Sequence, residues 1–97
     1  MRVFETEDMF GRLIYLSDER WKHINEEHPE VSEYIRQFDD VLKNPTKIVP
    51  FAYDKDIFYY YKYFKLRQFR TRYLLLIVKY LNGEGFIITA YFVRNIQ

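Results

Sequence analysis

The chain has 97 residues, 48% hydrophobic and 21% aromatic, with no cysteine and a formal net charge of +1. Such a length suits one domain with a small core, the composition excludes disorder, and the lack of cysteine excludes disulfides and thiolate zinc sites. The longest apolar run, Tyr73 to Val78, is too short for a membrane span and the start lacks the apolar stretch of a signal peptide, so a cytoplasmic protein without membrane partners is expected.

In chain order, Val3 to Thr6 and Leu13 to Leu16 alternate around Gly11 and predict an N-terminal hairpin. Ser17 is a helix N-cap candidate, with Asp18 and Glu19 in the first turn where negative charge suits the helix dipole. A helix from about Asp18 to Glu27 follows, placing Trp21, Ile24 and His28 on one face and Arg20, His23 and Glu27 on the next. Pro29 disfavours a helical backbone at His28, so the helix should stop there and leave that histidine at a corner. Val31, Tyr34, Ile35, Phe38, Val41 and Leu42 then recur at helical spacing, predicting a second, amphipathic helix that ends at Asn44-Pro45.

From Lys47 the period changes to that of strands. Lys47 to Tyr53, Ile57 to Phe64, Arg70 to Leu81 and Phe86 to Asn95 are separated by short polar or glycine-bearing breaks. The expectation is an α+β domain, 1–97, in which an N-terminal hairpin and two helices pack on a four-stranded antiparallel meander sheet, the hairpin lying at an edge or extending the sheet. A regular last hairpin sets Tyr73, Leu75, Ile77, Lys79, Ile88, Ala90, Phe92 and Arg94 on one face. It sets Arg72, Leu74, Leu76, Val78, Tyr80, Ile87, Thr89, Tyr91 and Val93 on the other. Thr89 and Tyr91 then share a side without Arg94. A bulge near the strand end, or the use of Arg72 as the cation, is needed to assemble one site.

Charge is divided along the chain. Residues 1–56 hold eight Lys or Arg against thirteen Asp or Glu, whereas residues 57–97 hold seven against Glu84 alone. A basic, aromatic-rich half suits a polyanion, because cations neutralise phosphates and flat rings stack on bases. The plain alternative is an acidic helical layer beside a basic sheet with no ligand at all.

Glycine-rich phosphate loops, metal-ligand spacings and nucleophile elbows are absent, and no cofactor or metal is expected. His23 and His28 are five residues apart, roughly 140° on an ideal helix, which argues against a shared metal. What remains is an acid–base set. Cleavage of a phosphodiester by the RNA 2′-hydroxyl needs a base, an acid and positive charge near the phosphorane. His23 and His28 are candidates for the first two roles, and Arg94 with Arg72 or Lys79 for the third. Thr89 and Tyr91 would donate to non-bridging oxygens. Arg72, Lys79, Lys62, Arg70 and Tyr61 complete the candidate substrate-binding set. Each has a structural alternative: a surface or capping histidine, sheet packing for Tyr59 to Tyr61, a solvated turn for Lys65 to Arg72.

Arg20-Trp21-Lys22-His23-Ile24, then Glu27-His28-Pro29-Glu30, and later Gly85 through Arg94 resemble the phage and mobile-element domains grouped with the barnase, EndoU, colicin and RelE nucleases. The similarity runs from roughly Leu13 to the end and includes the tyrosine-rich strand. The resemblance implies a compact α+β fold and a metal-independent, toxin-type ribonuclease acting on RNA. By position it carries catalytic roles to His23, His28, Thr89, Tyr91 and Arg94, and it implies an antitoxin or immunity protein as a partner. A non-catalytic nucleic-acid- or protein-binding module of the same fold is the alternative reading.

Overall fold

A computed structural model describes all residues, 1–97. The hairpin forms as β1 (Arg2–Glu7) and β2 (Leu13–Ser17), with Gly11 in its turn at φ 81°, a backbone conformation that costs glycine little. The Ser17 hydroxyl accepts from the Arg20 backbone N–H at 3.1 Å and starts α1 (Asp18–Glu27). His28 caps the helix with φ −136°, ψ 68°. That is the departure from helical geometry that the following proline imposes.

The second predicted helix is corrected in kind. Pro29–Gln37 winds in 3₁₀ turns, and only Phe38–Lys43 (α2) closes α-helical hydrogen bonds. The amphipathic pattern holds through the change: Val31, Phe38, Val41 and Leu42 are fully buried. The tighter winding aligns residues three apart, and Tyr34 meets Phe64 and Phe92 edge-on, with ring centroids 5.6 and 4.8 Å apart.

The C-terminal half forms β3 (Lys47–Pro50), β4 (Ile57–Tyr63), β5 (Tyr73–Leu81) and β6 (Glu84–Val93). β3 stops at Pro50, short of the predicted Tyr53; a proline has no N–H for the ladder. β5 begins at Tyr73 rather than Arg70, leaving Arg70 and Arg72 in the preceding loop. Asn82 and Gly83, at φ 55° and 84°, make the two-residue turn between β5 and β6.

These strands do not stand as a separate four-stranded meander. The sheet has six strands in the order β1-β2-β6-β5-β4-β3 and is mixed, because β2 pairs parallel to β6 through Ile14 with Gly85 and Tyr15 with Phe86. The hairpin thus covers the first part of an edge that β6 would otherwise leave open, at Gly85 and Phe86. Gly85 permits this approach: a Cβ there would fall 2.6 Å from Ile14 Cδ1 and 2.9 Å from Tyr80 Cε1.

A second correction concerns the faces. Val78 pairs with Ile87 but Ile77 pairs with Thr89, so Ile88 is an extra residue in β6, a β-bulge that inverts the alternation beyond it. Ala90 and Phe92 consequently lie opposite Leu76 and Leu74 on the helix-covered face, while Thr89 and Tyr91 lie opposite Ile77 and Leu75 on the other. The core joins Ile14, Leu16, Ile24, Val31, Phe38, Leu42, Tyr60, Leu74, Leu76, Val78 and Ile87 between the sheet and the helical layer. Each buried aliphatic there contributes about 1.5–3 kcal/mol. On the second face Tyr61 and Leu75 are buried, while Tyr59, Tyr73, Thr89 and Tyr91 are half-buried.

Candidate functional site

Two of the predicted residues, His28 and Tyr91, meet in the structure. His28, at the corner after α1, stacks on the Tyr91 ring with centroids 4.9 Å apart and planes inclined by 23°. Thr89 shares the Tyr91 side of β6. Burial raises the pKa of the Tyr91 phenol, and the nearby Tyr59 and Tyr61 hydroxyls add to the shift, so Tyr91 holds its proton as a donor. Two hydroxyl groups, of Thr89 and Tyr91, are thereby set along one side of β6, with the His28 imidazole stacked on the Tyr91 ring.

Beyond the end of β6 the chain builds an open cleft of about 330 Å³, lined by Tyr63, Arg70, Arg72, Tyr73, Arg94 and Asn95. Tyr63 and Tyr73 are cross-strand partners with ring centroids 5.2 Å apart, and they form the aromatic wall. Arg72 Nε donates to the Phe69 carbonyl at 3.0 Å, which fixes its guanidinium. No ion pair involves any of these three arginines, and no carboxylate lines the cleft. Three guanidiniums without a counter-charge are chemically suited to an oxyanion, since their planar donor forks match phosphate geometry. Arg94 falls outside the strand, so face alternation does not bind it, and it joins Arg72 here. The register connects the two groups: Tyr73 pairs with Val93 and Leu75 with Tyr91, making Tyr73 and Tyr91 diagonal neighbours on one face.

The other predicted residues lie elsewhere. His23 is exposed on α1, where Ile24 is the buried residue. Lys79 is paired with Asp54 at 3.0 Å. Lys62 donates to the Asn44 carbonyl at 2.7 Å and meets Asp40 at 3.3 Å on the helix-covered side. Tyr61 is buried, close to the backbone N–H of Gln97, and burial raises its pKa. The side chains gathered here contain no group of three or more His, Cys, Asp or Glu that could hold a metal ion.

One polar cluster escaped the sequence reading. Asp8 is buried and accepts from the Phe10 and Arg12 backbone N–H groups, from Arg12 Nε at 2.9 Å and from the Tyr80 hydroxyl at 2.8 Å. Tyr80 spends its proton on Asp8, so Tyr60 donates to Tyr80 across 2.5 Å. Burial opposes the Asp8 charge, but hydrogen bonds from Arg12, Tyr80 and Phe10 outweigh it and lower the pKa. Burial raises the pKa of both tyrosines. Nothing in the spacing of Asp8, Tyr60 and Tyr80 marks them as partners, since only the sheet order brings them together.

Comparison with protein-family models, with curated proteins and with solved structures gives no match for this chain.

Proposed function

We propose that this protein is a small ribonuclease-like domain of the barnase, EndoU, colicin and RelE type, cleaving RNA phosphodiesters by general acid–base catalysis without a metal. The observation that carries the reading is the His28–Tyr91 stack, one diagonal step from a cleft of three unpaired arginines. In this reading the arginine cleft grips the phosphate, and His28 takes the proton of the 2′-hydroxyl. The 2′-oxygen attacks phosphorus, the bond to the 5′-oxygen breaks, and the leaving oxygen takes its proton from Tyr91. Thr89 donates to a non-bridging oxygen. His23, exposed on α1, is given no part in this chemistry. A cytoplasmic setting and an acidic inhibitor seated over the arginines accompany the proposal.

Incubating the purified chain with RNA in the presence of a chelator tests it. Wild type should produce 2′,3′-cyclic phosphate ends, His28→Ala should slow the reaction by about 10²–10⁴-fold, and His23→Ala should stay within about threefold of wild type. RNA left intact by the wild type would falsify the enzymatic reading. Salt-dependent binding without turnover would then assign the arginine cleft to a non-catalytic module.

A further inference from the structure

The arginine cleft has a neighbour. On the other side of the loop that joins β4 to β5, an open cleft of about 430 Å³ is lined by Tyr34, Asp40, Lys62, Tyr63, Phe64, Lys65, Leu66 and Arg67. Its charges are Lys62, Lys65 and Arg67 against Asp40. Lys62 already meets Asp40, so that carboxylate is answered. Arg67 is held rigidly: its guanidinium lies 3.7 Å over the Phe92 ring, and its Nε donates to the Thr71 carbonyl at 2.7 Å. Lys65 has neither ion pair nor hydrogen bond and projects into solvent. Tyr63, 41% exposed, is the one side chain that lines both clefts. Between them the loop exposes Leu66 (90%) and Phe69 (65%).

Six of the seven Lys and Arg residues in 57–97 therefore line two clefts at one end of the sheet, with a single carboxylate among them. A cationic cleft, a shared ring and a second cationic cleft repeat the order of a nucleic-acid strand: phosphate, base, phosphate. Duplexes hide their base faces in the stack, so a ring and two apolar tips set between cations suit an unpaired strand. An anionic membrane would also meet cations and apolar tips. It has no use, however, for concave clefts or for an aromatic ring placed between them.

We infer that the β4–β5 loop is straddled by a single strand of RNA, with successive phosphates in the two clefts and the intervening base on Tyr63. The inference rests on the proposed phosphate grip of Arg70, Arg72 and Arg94 and extends it to a second subsite formed by Lys65 and Arg67, with Lys62 held against Asp40 in its wall.

The test uses full-length His28→Ala protein, so that binding is read without cleavage, and fluorescence anisotropy with a labelled hexauridylate over a range of salt. Lys65→Glu and Arg70→Glu alter exposed side chains without partners and so preserve the fold. Each should weaken binding about tenfold and flatten the salt dependence by about 0.7 in log–log slope, the loss expected for one phosphate on a single strand. Tyr63→Ala should weaken binding about tenfold with the slope unchanged. Uridine monophosphate should compete far more weakly than the hexamer.

An unaltered slope and affinity in Lys65→Glu, beside a loss in Arg70→Glu, would reduce the track to one cleft and overturn the inference. Equal affinity for a matched RNA duplex would overturn it too, as would retention on phosphatidylserine vesicles with none on the hexamer. Wild-type turnover is measured separately. Cleavage with a failed Lys65→Glu test removes only the second subsite, whereas two-cleft binding without cleavage removes only the catalytic reading.

Discussion

At the end of the sheet that carries the Asn82-Gly83 turn, charges are answered locally. Arg12 meets Asp8, Lys79 meets Asp54, and Arg2 bridges Glu5 and Glu84. At the opposite end Lys65, Arg70, Arg72 and Arg94 have no acidic partner. Both ends are built from the same strands, so the difference lies in which loops supply the acids. The first pattern is that of a structural device, because a buried carboxylate is held there only by several donors at once. The second is costly in isolation, since like charges repel, and makes physical sense when an anion completes it.

Substitutions at the two ends should therefore separate stability from function. The largest effect on binding is expected at the arginine end. Arg70→Gln combined with Arg94→Gln should weaken RNA binding about a hundredfold, while unfolding in urea shifts by no more than about 0.5 kcal/mol. A matching loss of stability would mean that these arginines hold the fold. Next comes Asp8→Ala, which leaves Arg12 and Tyr80 without their acceptor. It should cost about 3 kcal/mol in urea denaturation and leave RNA affinity of the folded protein unchanged.

Gly85→Ala should follow at about 1–3 kcal/mol, since the new methyl would press on Ile14 and on a Tyr80 ring already fixed by its hydrogen bonds. The smallest effects concern pH. The Asp8 pKa is lowered on folding, so its contribution is present above the ordinary carboxyl value near about 4 and is lost as pH falls through the lower folded value. The Tyr60 and Tyr80 values are raised, so theirs is present below about 10 and is lost as pH rises past the unfolded value. Thermal melts across pH should bend at both limits, and Asp8→Asn should remove its share of the acid limb.

Local chemistry made much of this architecture legible. Ser17, Pro29, Asn44-Pro45 and Asn82-Gly83 act on their immediate neighbours, and the boundaries they imply for α1, for the second helical stretch and for the last hairpin agree with the structure. The features that escaped are those decided at long range or by a single residue. Ile88 sits in an unbroken apolar run, with no glycine or proline to announce a bulge, yet it reverses the sides taken by Thr89 and Tyr91. The 3₁₀ winding of Pro29–Gln37 preserves the same apolar stripe that an α-helix would have, so periodicity alone does not separate the two. For the candidate site, residue type pointed to His23, His28, Thr89, Tyr91, Arg94, Arg70 and Arg72. The structure stacks His28 on Tyr91 and gathers the three arginines, which lie outside the strands, in one cleft, while His23 stays exposed on α1. Lys62 and Lys79 looked equivalent to those arginines by charge, and only the placement of Asp40 and Asp54 sets them apart.

The parallel pairing of β2 with β6 also dictates the order in which the molecule can be completed. Ile14 and Gly85 are about seventy residues apart along the chain, so an emerging polypeptide finishes its first hairpin and helix long before the strand they must join exists. Those early elements wait, with Ile14, Leu16 and Ile24 uncovered, until the last strand is synthesised. Closure of the sheet is then a late, long-range event, of the kind that slows folding and leaves nascent chains dependent on chaperones.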